Sequence, residues 1–226
     1  MTEPAGLAVH AVVRNTRTDR ALDALRLAGS GLEYELIPAG NLAAAVTPAP
    51  FRDVPEADPE ALGRHERVAE ALLRRSSVVP MPFGLVARDE RAVREFLRAR
   101  RVALEEGLDY LENSYEMRVH VSLRAAGQGE ELGSYVRRLH GVLRGQSRAA
   151  RRLGSGSGRE LVAAFLVGRS EWLRLVEKAT RWEGHHPDVE LRITGPWPPY
   201  DFVSVVPPGG EPGGDGTDGA PREEGS

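Results

Sequence analysis

The run Thr194-Gly195-Pro196-Trp197-Pro198-Pro199-Tyr200 constrains this chain more than any other segment. Three prolines in four positions fix φ, remove backbone donors and push their neighbours toward extended conformations, so neither a helix nor a central strand can continue through it. Segments that read as β-strands flank it, Val189 to Thr194 before and Phe202 to Val206 after. Two roles fit such a stiff connection. It is either a rigid crossover that packs Trp197 and Tyr200 onto its own core, or a platform that presents them to a partner.

The rest of the chain narrows the classes. Its 226 residues, 41% hydrophobic and 28% charged, suit a globular protein with two modest cores. No apolar run approaches the ~20 residues of a membrane span, so no membrane partner is expected. Glu3 and Pro4 stand where a signal peptide would need a basic stretch and then an apolar one, which favours the cytoplasm. With no cysteine, disulfides, thiolate catalysis and cysteine-ligated zinc are excluded. Lys178 is the only lysine, and no glycine loop precedes it, so P-loop and Schiff-base chemistry fall away as well.

Periodicity predicts mixed structure. Leu7 to Arg14 reads as a buried strand, a short helix follows with Leu22, Leu25 and Ala28 on one face, and Leu32 to Ile37 and Leu42 to Val46 read as strands. Asp58-Pro59 is an N-cap followed by proline at the first helical position. The helix it opens has Leu62, Ala69, Leu72 and Leu73 on its apolar stripe, with His65 among them. Val78 to Val86 is extended but broken by Pro80 and Pro82, and Asp89 opens one long helix to about Asn113. Glu116 to Arg124 alternates as a half-buried strand. A helix from about Glu130 to Leu153, a glycine-serine linker at Gly154 to Gly158, a strand from Glu160 to Gly168 and a helix from Ser170 to about Glu183 complete the pattern.

The expected class is α+β with two domains, 1–114 and 115–206, each a small antiparallel or mixed sheet packed with helices and the first ferredoxin-like. Residues 207–226 hold almost only Gly, Pro, Asp and Glu and are expected to be a disordered acidic tail.

No catalytic set, cofactor site or metal site emerges. His65-Glu66-Arg67-Val68-Ala69 begins like a helical zinc motif, but Ala69 stands at the second ligand position, so a packed histidine with a local carboxylate is expected. His185 and His186 are read as surface residues. Gly156 occupies the centre of Gly154 to Gly158, where a nucleophile elbow needs serine. Arginines offer one alternative: Arg137, Arg144, Arg148, Arg151 and Arg152 on one helix, and Arg91, Arg94, Arg98 and Arg101 on another, form stripes that a nucleic-acid-binding module would use. Interspersed glutamates and a net charge of -3 argue against nucleic acid as the partner.

Three segments, HERVAEALL at His65 to Leu73, VVPMPFGLV at Val78 to Val86 and TGPWPPYDFV at Thr194 to Val203, resemble the gas vesicle protein F/L family in order and spacing. The resemblance spans roughly Leu7 to Val206. It implies a non-enzymatic, two-domain α+β accessory protein or minor component of gas vesicles. Such a protein binds the small hydrophobic shell protein, limits its aggregation and supports nucleation and assembly beside other accessory proteins. Met81, Phe83, Pro196, Trp197, Pro198 and Tyr200 are the residues expected to form the partner-binding surface.

Overall fold

The computed structural model describes residues 5–15, 33–51, 58–124, 129–153 and 160–203. The helix expected near Leu22 to Ala28, the Gly154 to Gly158 linker and the acidic tail lie outside the described residues.

Two antiparallel sheets organise the chain, as an α+β protein. The first contains β1 (Ala5–Arg14), β2 (Glu35–Ala39), β3 (Leu42–Pro50) and the two-residue strands β4 (Val79–Pro80) and β5 (Val86–Ala87). Its order is β2-β3-β1-β4, with β5 also paired to β1. Helix α1 (Pro59–Leu73) covers one face, burying Val68, Ala69, Leu72 and Leu73 against Ala11, Val13, Ala43 and Ala45. Helices α2 (Glu90–Ala99) and α3 (Arg101–Tyr110) cover the other, bringing Val93, Leu97, Leu104 and Leu108 onto Val12, Ile37, Ala44 and Val46. Capping sets two of the helix starts as the sequence foretells. The Asp58 carboxylate accepts from the Glu60 N–H at 3.0 Å, and Asp89 accepts from the Ala92 N–H at 2.8 Å.

The second sheet contains β6 (Ser114–Leu123), β7 (Ala149–Leu153), β8 (Glu160–Gly168) and β9 (Val189–Trp197), in the order β7-β8-β6-β9. The strand order of the first sheet is thus repeated. Helices α4 (Gly129–Arg144) and α5 (Trp172–Gly184) pack on one face over Met117, Val119, Val121, Phe165 and Val167. The opposite face turns toward the first sheet. Leu166 from β8 completes the first core, and Ala149, Phe202 and Val203 pack against it. Burial on both sides explains why Ala163 to Val167 is one continuous buried run. Arg169 fastens the junction: its guanidinium donates to Ser76 O at 2.8 Å and to Leu73 O, at the C-terminal end of α1, and lies over the Tyr115 ring.

Four expectations are corrected. The long helix from Asp89 is two helices, because Arg100 leaves helical geometry (φ -107°, ψ 12°) and lets α2 lie over β2 and β3 while α3 reaches β1 and β4. The helix expected to reach Leu153 ends at Arg144, where the Gln146 N–H and Ser147 hydroxyl close the last carbonyls. Ala149 to Leu153 has strong helix formers, yet pairs with β8 from Ala149↔Leu166 to Leu153↔Val162, so tertiary pairing overrides propensity. The final strand, expected over Phe202 to Val206, does not begin at Phe202, which closes a 3-10 turn at Tyr200–Phe202, and residues 204–206 lie outside the described residues; β9 itself runs into the proline segment as far as Trp197. Leu62, placed on the apolar stripe of α1, is 42% exposed, because that part of the helix faces a cleft rather than the sheet.

Candidate functional site

The chain's three unusual segments converge on that cleft. Helix α1 supplies Leu62, Glu66 and Glu70, one ridge at spacings of four residues, and buries His65 behind it. The loop after β4 supplies Phe83. From the second sheet come the cross-strand pairs Arg118↔Thr194 and His120↔Arg192, and from the end of β9 come Trp197, Pro198 and Tyr200. Together they enclose about 450 Å³. Five large apolar residues stand exposed among the described residues, and two of them, Leu62 and Trp197 (36%), face this one cleft.

Gly195 makes the wall possible. It has φ +124°, and a Cβ there would lie 2.8 Å from Glu116 O and 2.9 Å from Met117 Sδ, so only glycine lets β9 approach β6 this closely. The following peptide bond to Pro196 is cis. Pro198 and Pro199 are buried, whereas Pro196 is exposed and does not line the cleft. Tyr200 is half-buried, with its ring 6.2 Å from that of His65 and its hydroxyl buried without a hydrogen-bond partner among the described residues. Burial first, then the charges of Glu66, Glu70 and Glu116, drives its phenol above the ordinary tyrosine value.

Two polar constellations brace the walls. Behind Phe83 the Thr47 hydroxyl, His10, His65 and the Met81 carbonyl form a chain. Because a carbonyl only accepts, His65 Nε2–H donates to Met81 O at 2.9 Å, which leaves His65 Nδ1 to accept from His10 Nδ1–H at 3.0 Å. Thr47 then donates to His10 Nε2 at 2.9 Å. Every polar group is satisfied with both rings neutral. Burial, helped by the charges of His65 and Arg64, lowers His10 to about 3, and burial lowers His65 as well. The packed histidine expected from the sequence is present, but its partners are a second histidine and a carbonyl, not a carboxylate.

The second constellation holds the proline segment. Glu116 is fully buried, and its carboxylate accepts from Arg118 Nε at 2.6 Å and from the Asp201 N–H at 2.9 Å. Arg118 also reaches the Asp201 carboxylate at 3.0 Å. Burial, reinforced by the Asp201 side chain, pushes the Glu116 carboxyl up to about 7. Sequence reasoning missed this group. Alternation along β6 places Glu116, Arg118 and His120 opposite Met117 and Val119, a face that reads as solvent-exposed until the first sheet covers part of it.

Of the residues expected at a partner surface, Phe83, Trp197, Pro198 and Tyr200 line the cleft. Met81 is fully buried in the first core, and its carbonyl anchors His65. The arginine stripes do not persist: Arg148, Arg151 and Arg152 leave the helix, while Arg91, Arg94 and Arg101 pair with Glu95, Glu90 and Glu105 one turn away. His186 is half-buried and stacks on Trp182, with ring centroids 3.8 Å apart. Among the described residues no three His, Asp or Glu side chains are grouped to hold a metal ion, and no helix is long and apolar enough to cross a membrane.

The family model for the gas vesicle synthesis protein GvpL/GvpF matches residues 6–133 and 124–204. The chain belongs to the GvpL/GvpF family. Two relatives come from Halobacterium salinarum: gas vesicle protein F2 is 29% identical over 169 residues, covering 68% of this chain and 74% of its own. Gas vesicle protein F1 is 27% identical over 197 residues, covering 83% and 88%. Crystal structures of GvpF share the fold. That from Anabaena sp. PCC7120 superposes with a TM-score of 0.73 at 13% identity, over 89% of this chain and 97% of the other. That from Microcystis aeruginosa gives 0.70 at 13% identity, over 88% and 99%. This GvpL/GvpF member is therefore a protein of gas vesicle formation.

Proposed function

We propose that the protein is a non-enzymatic accessory protein or minor component of gas vesicles that binds the small hydrophobic shell protein. In this reading it limits aggregation of that subunit in the cytoplasm and supports nucleation and assembly of the shell together with other accessory proteins. The observation that carries the reading is the cleft: the three segments that mark the family meet there, and they leave Leu62, Phe83 and Trp197 as an open apolar surface. Rigid aromatics held by proline offer apolar area with little side-chain freedom to lose on binding. The order β2-β3-β1-β4 supports reading the first half as ferredoxin-like; the segment between β1 and β2, where that reading expects a helix, lies outside the described residues.

Co-expression with the shell protein tests the function. The shell protein is expected to co-purify with this chain, and vesicle counts are expected to fall when the chain is omitted. Trp197→Ala should leave thermal unfolding cooperative and reduce the co-purified amount. Shell protein that neither co-purifies nor needs this chain for vesicle formation refutes the proposal.

A further inference from the structure

Past Trp197 the chain leaves the second sheet, and residues 198–203 return to the first half of the molecule. Tyr200 packs into the core beneath α1, and Phe202 and Val203 pack against the core beneath α2 and α3. Little backbone pairing holds this stretch. The Tyr200 and Phe202 N–H groups bond within it, to Pro198 O and Pro199 O, and Asp201 is its one hydrogen-bonded tether to the rest of the described residues. Asp201 is held at three points. Its N–H donates to the Glu116 carboxylate at 2.9 Å, its side chain accepts from Arg118 at 3.0 Å, and its carbonyl accepts from Arg151.

Two carboxylates share one guanidinium here. Arg118 reaches Glu116 through Nε at 2.6 Å and Asp201 through Nη2 at 3.0 Å, so one positive charge faces two negative ones once both acids ionise. The surroundings do not redress the balance. From α1, Glu66 and Glu70 add negative charge on the Tyr200 side, while Tyr200 and His65 are neutral. Arg151 of β7 is engaged with the Asp201 carbonyl, and His120 and Arg192 are engaged with Glu160. Strands β8 and β9 set the apolar Leu166 and Trp197 opposite Glu116. A carboxyl buried completely among these groups is more stable with its proton on. Lifting Asp201 away lets water reach Glu116 and removes the second carboxylate, and both changes favour ionisation.

We propose that residues 198–203 are a pH-sensitive latch, closed while Glu116 keeps its proton and released by local opening when Glu116 ionises. Release frees Tyr200, Phe202 and Val203 from the two cores they touch, and so adds apolar groups to the accessible surface as pH rises. The latch needs no partner and stands apart from the proposed function. With Glu116 titrating at 4.5 in the open turn and at about 7 in the closed one, the closed form holds the proton more tightly. The opening constant therefore rises with pH across that window, by about 20-fold between pH 5.5 and 7.5.

Hydrogen exchange of the full-length chain, followed by NMR and corrected for the intrinsic pH dependence of amide exchange, reads the opening at the Tyr200, Asp201 and Phe202 N–H groups. Their protection should fall about 20-fold from pH 5.5 to 7.5. Low concentrations of urea should leave their rates unchanged, because a local opening exposes little surface, whereas exchange through global unfolding accelerates with urea. Glu116→Gln should make the protection independent of pH over this range. Asp201→Asn leaves Arg118 to Glu116 alone, and should shrink the fall. Protection that does not fall with pH, that falls as steeply in Glu116→Gln, or that is lost only through urea-sensitive global unfolding overturns the latch. If Glu116→Gln does not fold, a full 20-fold fall retained by Asp201→Asn overturns it as well.

Discussion

Glu116→Gln replaces a fully buried carboxyl by an amide of the same shape that never ionises. The amide oxygen can still accept the Asp201 N–H, now bonded to the carboxylate at 2.9 Å; its NH2 then takes the place of the oxygen that accepts from Arg118 Nε, a lost bond that offsets the variant at every pH without changing the slope. In the wild type the folded carboxyl titrates at about 7 against 4.5 for an exposed glutamate. As pH rises past 4.5 the unfolded chain releases its proton first, so the wild-type fold loses stability through this window and the loss is complete above 7. At about 1.4 kcal/mol per unit of pKa difference, the gap corresponds to about 3 kcal/mol. Groups distant from Glu116 are common to both proteins, so the difference between them reports the Glu116 site. Urea unfolding followed by far-UV circular dichroism between pH 4.5 and 7.5 should therefore show Glu116→Gln gaining about 3 kcal/mol on the wild type as pH rises, a midpoint change of about 1 M. Curves that stay parallel across this range would mean that Glu116 ionises like a surface carboxylate, and the account of its burial against Asp201 would be wrong.

His10 gives a slope of opposite sign. Its folded value near 3 lies below 6.5, so the unfolded chain takes up a proton first as pH falls, and stability present above 6.5 is lost progressively down to about 3. His10→Gln should remove up to about 1.4 kcal/mol per pH unit of that loss, read from the same urea series. Between pH 4.5 and 6.5 this slope, which His65 shares in sign, opposes that of Glu116, so Glu116→Gln should show a steeper net rise of stability with pH than the parent. Gly195→Ala should destabilise the fold by about 2–4 kcal/mol, through both its positive φ and the contacts with Glu116 O and Met117 Sδ, with a lowered melting temperature as the readout. A Gly195→Ala variant that melts with the wild type would show that β9 does not need the close approach.

Features written in local chemistry were legible in the chain. Asp58-Pro59 and Asp89 begin helices because a carboxylate beside free N–H groups acts within one turn, wherever the helix later packs. The alternation of Met117, Val119 and Val121 marks one face of β6 for a core. What failed depended on partners distant in sequence. Ala149 to Leu153 is helical by propensity and a strand only because β8 lies beside it.

The cleft was legible in part. Phe83, Trp197 and Tyr200 came from the unusual segments, and Asp201 follows Tyr200 directly, yet nothing local marked Glu116 as buried or His10 as the neighbour of His65. The sequence by itself determined the starts of α1 and α2, the buried face of β6, the stiff proline segment and the family. The tertiary structure alone decided that these segments share one cleft, that Met81 turns inward while Trp197 turns outward, and that Glu116 is buried beneath the proline segment. Backbone preference and periodicity act over a few residues, whereas burial and electrostatic environment belong to groups brought together from Leu62 to Asp201 only by the docking of the two sheets.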